Sequence, residues 1–221
     1  WIGYLSNLRV VKGTAVYTSN FTPPTSPLTA ISGTQLLTLQ NSTFIDNSPN
    51  NFTITNNGTA TIVNPNSFPA ITRNGTPTQG TFTPYGNQWG VYLPNPPKTG
   101  NNQTYTDYVY VNSTGVNLTG VSYTAEAWVF PTLLPTGAFP TGSAPIFNWW
   151  TAFNNRWGII LSYSASSTTL MNVGIFTDGP ATGVNTTIPC VPINAWTHVA
   201  TTFDGTTTRI FVNGVLVLSS V

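Results

Sequence analysis

The chain has 221 residues, of which 40% are hydrophobic and 13% aromatic, enough apolar material for the core of one large domain or two smaller ones. Only 5% of residues are charged, six Lys and Arg against five Asp and Glu, where an ordinary soluble domain carries about a quarter. A net charge of +1 with no cluster of cations excludes an electrostatic grip on phosphate backbones, so nucleic acid is not an expected partner.

Uncharged hydrogen-bonding residues replace the charge: 39 Thr and 24 Asn, punctuated by 19 Gly and 18 Pro. Thr favours strands and Asn, Gly and Pro favour turns, while helix formers are scarce and no segment repeats at 3.6 residues. The composition predicts an all-β chain. Cys190 is alone, which excludes an intrachain disulfide and a thiolate metal cluster. No apolar run approaches the ~18 residues of a membrane-spanning helix. The chain opens at Trp1 with no Met and no signal-like segment, and reads as a piece of a longer polypeptide.

In chain order, the segment 1–12, WIGYLSNLRVVK, alternates apolar and polar residues like a half-buried strand. FTPPTSP at 21–27 holds three prolines and cannot sit in a paired ladder, so a boundary is placed there. A second unit starts with QLLTLQ at 35–40, turns through the Asn-rich 46–51, and continues with NFTITNN. Residues 64–104 hold seven prolines and read as surface loops, with WGVYL at 89–93 the one strand-like piece. From Asp107 onward strand signals are dense: DYVYVNS, SYTAEAWVFP, APIFNWW, RWGIILSYS, TLMNVGIFT, AWTHVATTF, TTRIFVNG and VLVLSSV. Asp204-Gly205 and Asn213-Gly214 tolerate the positive φ of tight hairpins and predict a three-stranded meander from Trp196 to Val221. Many short strands at this spacing predict two packed antiparallel sheets, a sandwich of jelly-roll type.

SYTAEAWVFP at 122–131, followed by WTHVATTFDGTTTRIFVNGVLV at 196–217, resembles the laminin G-like, concanavalin A-like jelly roll. In that family a strand like 1–12 closes the domain. The resemblance therefore implies that residues 1–27 are the closing strand and exit linker of a preceding repeat, or a strand exchanged into a sandwich. Residues 28–221 would be the next jelly-roll domain, lacking its own C-terminal strand. The segments SNLRVVKGTAVYTSNFTPPTSPLTAI and LLTLQNSTFIDNSPNNFTI are similar to linker regions of tandem laminin G-like repeats in structural proteins of tailed phages, those of cyanobacteria in particular. That likeness implies a non-enzymatic virion protein, a fibre, appendage or capsid decoration, whose partners are other subunits of the assembly and host-surface glycans. The alternative is a secreted bacterial or archaeal adhesin or filament subunit.

Some relatives of this fold hydrolyse glycans with two carboxylates about 5 Å apart, or wider for inversion. Here Asp46, Asp107, Glu126, Asp178 and Asp204 are far apart in sequence, and the same-face neighbours of Glu126 are Thr124 and Trp128, so no acid pair is expected. Glu126 reads as a hydrogen-bonded residue of a core strand. His198 is the single histidine, between Trp196 and Ala200 on one strand face, and reads as a packed core residue rather than a catalytic base or zinc ligand. Calcium, which lectin relatives bind through loop oxygens, has candidate ligands in Asp46 and Asp178, whose Asn and Gly neighbours equally fit plain turn chemistry.

The run from Phe147 to Trp157 supplies the candidate carbohydrate site. Trp149, Trp150 and Trp157 could stack on sugar C–H surfaces, and Asn148 and Asn154 could read hydroxyls. Alternation offers the competing reading that half of these rings fill the core. Nine Asn-x-Thr triplets begin at Asn20, Asn41, Asn51, Asn57, Asn74, Asn102, Asn112, Asn117 and Asn185. They are glycan acceptors only in a glycosylating secretion route.

Overall fold

A computed structural model describes residues 2–63, 84–85, 90–94, 108–111, 118, 121–135, 143–152, 155–176 and 183–221. Its strands are β1 (Ile2–Lys12), β2 (Thr34–Thr38), β3 (Ile54–Asn57), β4 (Thr61–Val63), β5 (Gly90–Pro94), β6 (Tyr108–Val111) and β7 (Tyr123–Pro131). There follow β8 (Ala144–Ala152), β9 (Asn155–Ser162), β10 (Leu170–Phe176), β11 (Gly183–Asn185), β12 (Val191–Pro192), β13 (Thr197–Phe203), β14 (Thr208–Val212) and β15 (Val215–Ser220). No helix occurs among the described residues, as the scarcity of helix formers predicts.

The strands form an eight-stranded sheet in the order β15-β14-β13-β7-β1-β5-β4, with β2 also on β1, and a five-stranded sheet in the order β11-β10-β9-β8, with β12 on β10. A small β3-β6 ribbon lies apart from both ladders. All pairings are antiparallel. The core is the sandwich filling: Leu8, Val10, Ala125, Ala127, Val129, Val199 and Ile210 of the large sheet meet Ile146, Trp157, Ile159, Leu161, Met171, Val173 and Ile175 of the small one. The fold is thus the two-sheet antiparallel sandwich that the strand spacing predicts.

The meander ends the chain as the turn dipeptides predict. Asn213 and Gly214 both have positive φ, 49° and 80°, joining β14 to β15, and Gly205 has φ 103° in the β13–β14 turn. A Cβ on Gly214 would run into the carbonyl of Phe21, so only glycine fits there.

β1 departs from simple alternation. Its pairing with β7 shifts register between Ser6 and Arg9, where Asn7 takes φ 54°. This bulge changes parity, so that Leu5 shares the core with Leu8 and Val10, while Arg9 turns to the opposite face. β1 runs through the interior of the large sheet, hydrogen-bonded to β7, β5 and β2. β1 therefore shares one sheet with strands from the later part of the chain.

Between β1 and β2, residues 13–33 form a strap that leaves the ladder and returns to it, closing with Lys12 N–H donating to Gly33 O at 2.9 Å. The strap crosses the face of the large sheet that looks away from the sandwich filling. Gly13 N donates to Ser122 O at 2.7 Å, Val16 N to the Thr124 hydroxyl at 2.7 Å, and the Thr202 hydroxyl to Tyr17 O at 2.8 Å. Farther along, Phe21 N donates to Gly214 O at 2.9 Å, and the Asn20 side-chain oxygen accepts Leu216 N–H at 3.0 Å. The prolines of 21–27 keep this segment out of the ladder, as read from the sequence, and its bonds make it a third layer.

Candidate functional site

Under the strap lies the chain's single Glu. β7 and β13 pair in register with Ala200 opposite Glu126 and His198 opposite Trp128, and β1 pairs Arg9 with Glu126. Three neighbouring strands thereby bring Arg9, Glu126 and His198 to one face. Arg9 Nε donates to Glu126 Oε1 at 2.9 Å, its Nη2 donates to the same oxygen, and its Nη1 donates to Thr29 O at 3.0 Å. The other carboxylate oxygen accepts the Tyr17 hydroxyl at 2.7 Å and lies 3.2 Å from His198 Nε2. Glu126 and His198 are both 0% exposed.

The electrostatics follow from this enclosure. Burial pushes the Glu126 carboxyl up, but the His198 hydrogen bond, the Arg9 charge and the Tyr17 hydroxyl outweigh it and hold the group below the usual carboxylate range. Burial, reinforced by the Glu126 charge, pushes the Tyr17 phenol well up. His198 Nδ1 is buried without a partner among the described residues. The ring proton therefore belongs on Nε2, donated to Glu126, because a proton on Nδ1 would have no acceptor.

Aromatic rings seal the network. Phe21 stacks on Tyr17 at 3.6 Å between centroids and meets Phe211 and His198 edge-on at 5.3 and 5.7 Å. Trp128 packs on His198 at 5.2 Å and donates its indole N–H to the Tyr85 hydroxyl at 2.6 Å. Burial pushes that Tyr85 phenol up to about 12. The carboxylate of Glu126 takes its bonds from the side chains of Arg9, Tyr17 and His198. Both polar residues sit on the strap side of the large sheet and not in the sandwich filling.

The other described acids are equally committed. Asp46 is buried, and Oδ1 accepts Leu37 N–H at 3.0 Å and Ser48 N–H at 2.9 Å, while Oδ2 accepts the Ser48 hydroxyl at 2.8 Å and Phe52 N–H at 3.0 Å. Its lone pairs point at four donors, the arrangement of a turn organiser. Asp204 caps its hairpin: backbone N–H of Thr207, Arg209 and backbone N–H of Thr206 hold its carboxyl down at about 2. Asp107 and Asp178 lie outside the described residues. Among the described residues no group of three His, Cys, Asp or Glu is placed to hold a metal.

The sequence-predicted sugar platform divides. Trp157 is 1% exposed, set edge-to-face against Tyr123 at 4.7 Å and packed beside Phe147, so its indole face is closed to a ligand. Its position in the register of β9, two residues from Ile159 and four from Leu161, sends it inward with them. Asn148, Trp149 and Trp150 lie on β8, paired with Gly158, Trp157 and Arg156 of β9. Asn154 lies outside the described residues. Cys190 is half-buried, and burial raises its thiol.

Sequence reasoning passed over a run of side-chain amides around the β2–β3 connection. The Asn7 side-chain oxygen accepts Gln40 Nε2 at 2.7 Å, Gln40 Oε1 accepts Asn47 Nδ2 at 3.1 Å, and Asn41 Oδ1 accepts the same nitrogen at 2.6 Å. The signal was the density of Asn and Gln between 35 and 51, which reads as turn chemistry because the partner, Asn7, is 33 residues away.

No curated protein and no solved structure matches the chain. A laminin G-type family model, described as the concanavalin A-like lectin/glucanases superfamily, matches residues 102–221, more than half of the sequence. That span holds β7, β13 and the β14–β15 hairpin on which the resemblance rests, and its sheets pack as a jelly-roll sandwich. The chain belongs to the concanavalin A-like lectin/glucanase superfamily.

Proposed function

We propose that the chain is a non-catalytic recognition and assembly module of a virion structural protein, a fibre, appendage or capsid decoration, that contacts host-surface glycans. The observation that carries this reading is the sealing of Glu126 and His198. The one carboxylate–histidine pair among the described residues is spent on holding β1, β7, β13 and the strap together. A glycosidase needs an acid and a second carboxylate open to the substrate, and Glu126, Asp46 and Asp204 each have their oxygens engaged in architecture. The laminin G-like fold is compatible with adhesive and carbohydrate-binding roles.

In this reading residues 1–27 are a strand and exit linker of the kind that closes a laminin G-like unit, filling the slot beside β7. The virion context rests on the likeness of 6–31 and 36–54 to linkers of phage repeat proteins. Two measurements test the proposal. Incubation with polysaccharides should release no reducing sugar, and peptides of this chain should be recovered from purified particles. Recovery from the cell-surface fraction alone would turn the reading to a secreted adhesin. That alternative draws on Asn51 and Asn57, Asn-x-Thr acceptors that are both exposed. Sugar mass on either would favour it.

A further inference from the structure

We propose that Asn41 and Asn47 form a binding site for an uncharged saccharide, recognised through a pair of neighbouring hydroxyls. This rests on the glycan-binding reading and gives it a location.

The argument begins inside the protein. Asn7 is buried at the β1 bulge, and its Oδ1 accepts both Leu28 N–H at 3.1 Å and Gln40 Nε2 at 2.7 Å. The second Nε2 proton of Gln40 goes to Leu28 O at 2.8 Å. With both donors used inward, Gln40 offers only its Oε1 outward, and Asn47 Nδ2 donates to it. The other proton of Asn47 Nδ2 goes to Asn41 Oδ1. Each amide thus fixes the orientation of the next.

What the relay leaves over is Asn47 Oδ1, an acceptor, and Asn41 Nδ2, a donor, neither with a hydrogen-bond partner among the described residues. Asn47 is exposed and Asn41 half-buried. The loop that carries them is stiff, because Asp46 ties it to Leu37 and Phe52, Asn47 N donates to Leu37 O at 2.6 Å, and the Thr38 hydroxyl donates to Ile45 O at 2.8 Å. A donor and an acceptor carried by two amides joined at 2.6 Å complement neighbouring hydroxyls, one accepting from Asn41 and one donating to Asn47, at little ordering cost. Ile45, 41% exposed in the same turn, offers apolar contact to sugar C–H groups. The one acid in the turn, Asp46, is buried and saturated, so the surface is neutral and selects a neutral ligand.

The test is an array of uncharged gluco-, galacto- and manno-oligosaccharides probed with the whole chain and its Asn41→Asp, Asn47→Ala and Trp149→Ala variants. Asn41→Asp keeps the oxygen that accepts from Asn47 and turns the outward donor into an acceptor, without changing shape. It should weaken binding about tenfold or more, as should Asn47→Ala, with unchanged thermal unfolding for Asn41→Asp. Binding that survives both Asn variants overturns the site and leaves the glycan reading standing; loss at Trp149→Ala alone would move the site to β8. Silence of the wild-type chain across the array overturns the glycan reading and this site with it. Covalent sugar on Asn41 of the native protein would also overturn it, since the attached glycan would occupy the place of the ligand.

Discussion

Replacing Arg9 by Met keeps most of the aliphatic stem and removes the guanidinium, deleting its bonds to Glu126 Oε1 and to Thr29 O. Glu126 would then hold a buried charge with only Tyr17 and His198 as partners. Removing one partner of a buried ion pair costs about 3–5 kcal/mol, a large part of a typical domain stability of roughly 5–15 kcal/mol. In a chain of this length each kcal/mol moves the midpoint by about 2–4 °C, so Arg9→Met should lower Tm by roughly 6–20 °C. Glu126→Gln alone strands the Arg9 charge and should cost a similar amount. Combining the two should cost less than their sum by about 2 kcal/mol or more, because the second change removes the charge the first left unpaired. Urea unfolding followed by tryptophan fluorescence and far-ultraviolet circular dichroism measures all three variants. A loss below about 1 kcal/mol for Arg9→Met, or no coupling, would refute the placement of β1 beside β7. It would mean that residues 1–27 are not part of the sandwich carrying Glu126.

The network also has a pH signature. Glu126 has a carboxyl held below its ordinary value in the fold, so its contribution is fully present above the unfolded value and is lost as pH falls through the folded one. Urea midpoints should therefore hold through neutral pH and fall in acid, from about pH 4 downward, and Glu126→Gln should flatten that decline. Trp157→Ala should cost about 3–5 kcal/mol through the cavity it leaves while sparing any glycan binding, measured by urea unfolding and the oligosaccharide array. Asp46→Asn replaces acceptors by a mixed amide against four donors and should cost about 1–3 kcal/mol. The loss should be the same with calcium and with chelator, since the carboxylate works as a turn organiser.

The parts of this fold legible in the sequence are those set by neighbours in the chain. Asn213-Gly214 and Asp204-Gly205 fix hairpins because the needed positive φ is a property of the dipeptide, and strand periodicity in β13 and β14 follows from residues two apart. The all-β class followed from what was missing. What could not be read depends on pairing across long separations. Arg9 and Glu126 are 117 residues apart, and simple alternation along WIGYLSNLRVVK puts Arg9 on the face of Leu5. Only the bulge at Asn7 reverses it, and a lone Asn inside a strand pattern does not announce one. Likewise FTPPTSP marks a departure from the ladder without saying that Tyr17 and Phe21 turn back onto β13 and β14. Trp157 was inseparable in sequence from Trp149 and Trp150, since three indoles within nine residues fit a platform or a core equally until the second sheet is placed.

The chain carries few charges, and five of the described ones serve architecture. Glu126 and Arg9 close the strap side of the large sheet, Asp46 builds the β2–β3 turn, and Asp204 with Arg209 pins the meander. Under the proposed glycan-binding reading, contacts fall to amides, hydroxyls and apolar side chains, whose hydrogen bonds and dispersion are little screened by ions. Charge-driven association would weaken steeply between low and physiological salt. If Asn41 and Asn47 carry the saccharide contact, affinity on the array should stay level as sodium chloride is raised well past physiological strength. A steep fall with salt would instead point to the few cations of the chain and away from the amide pair.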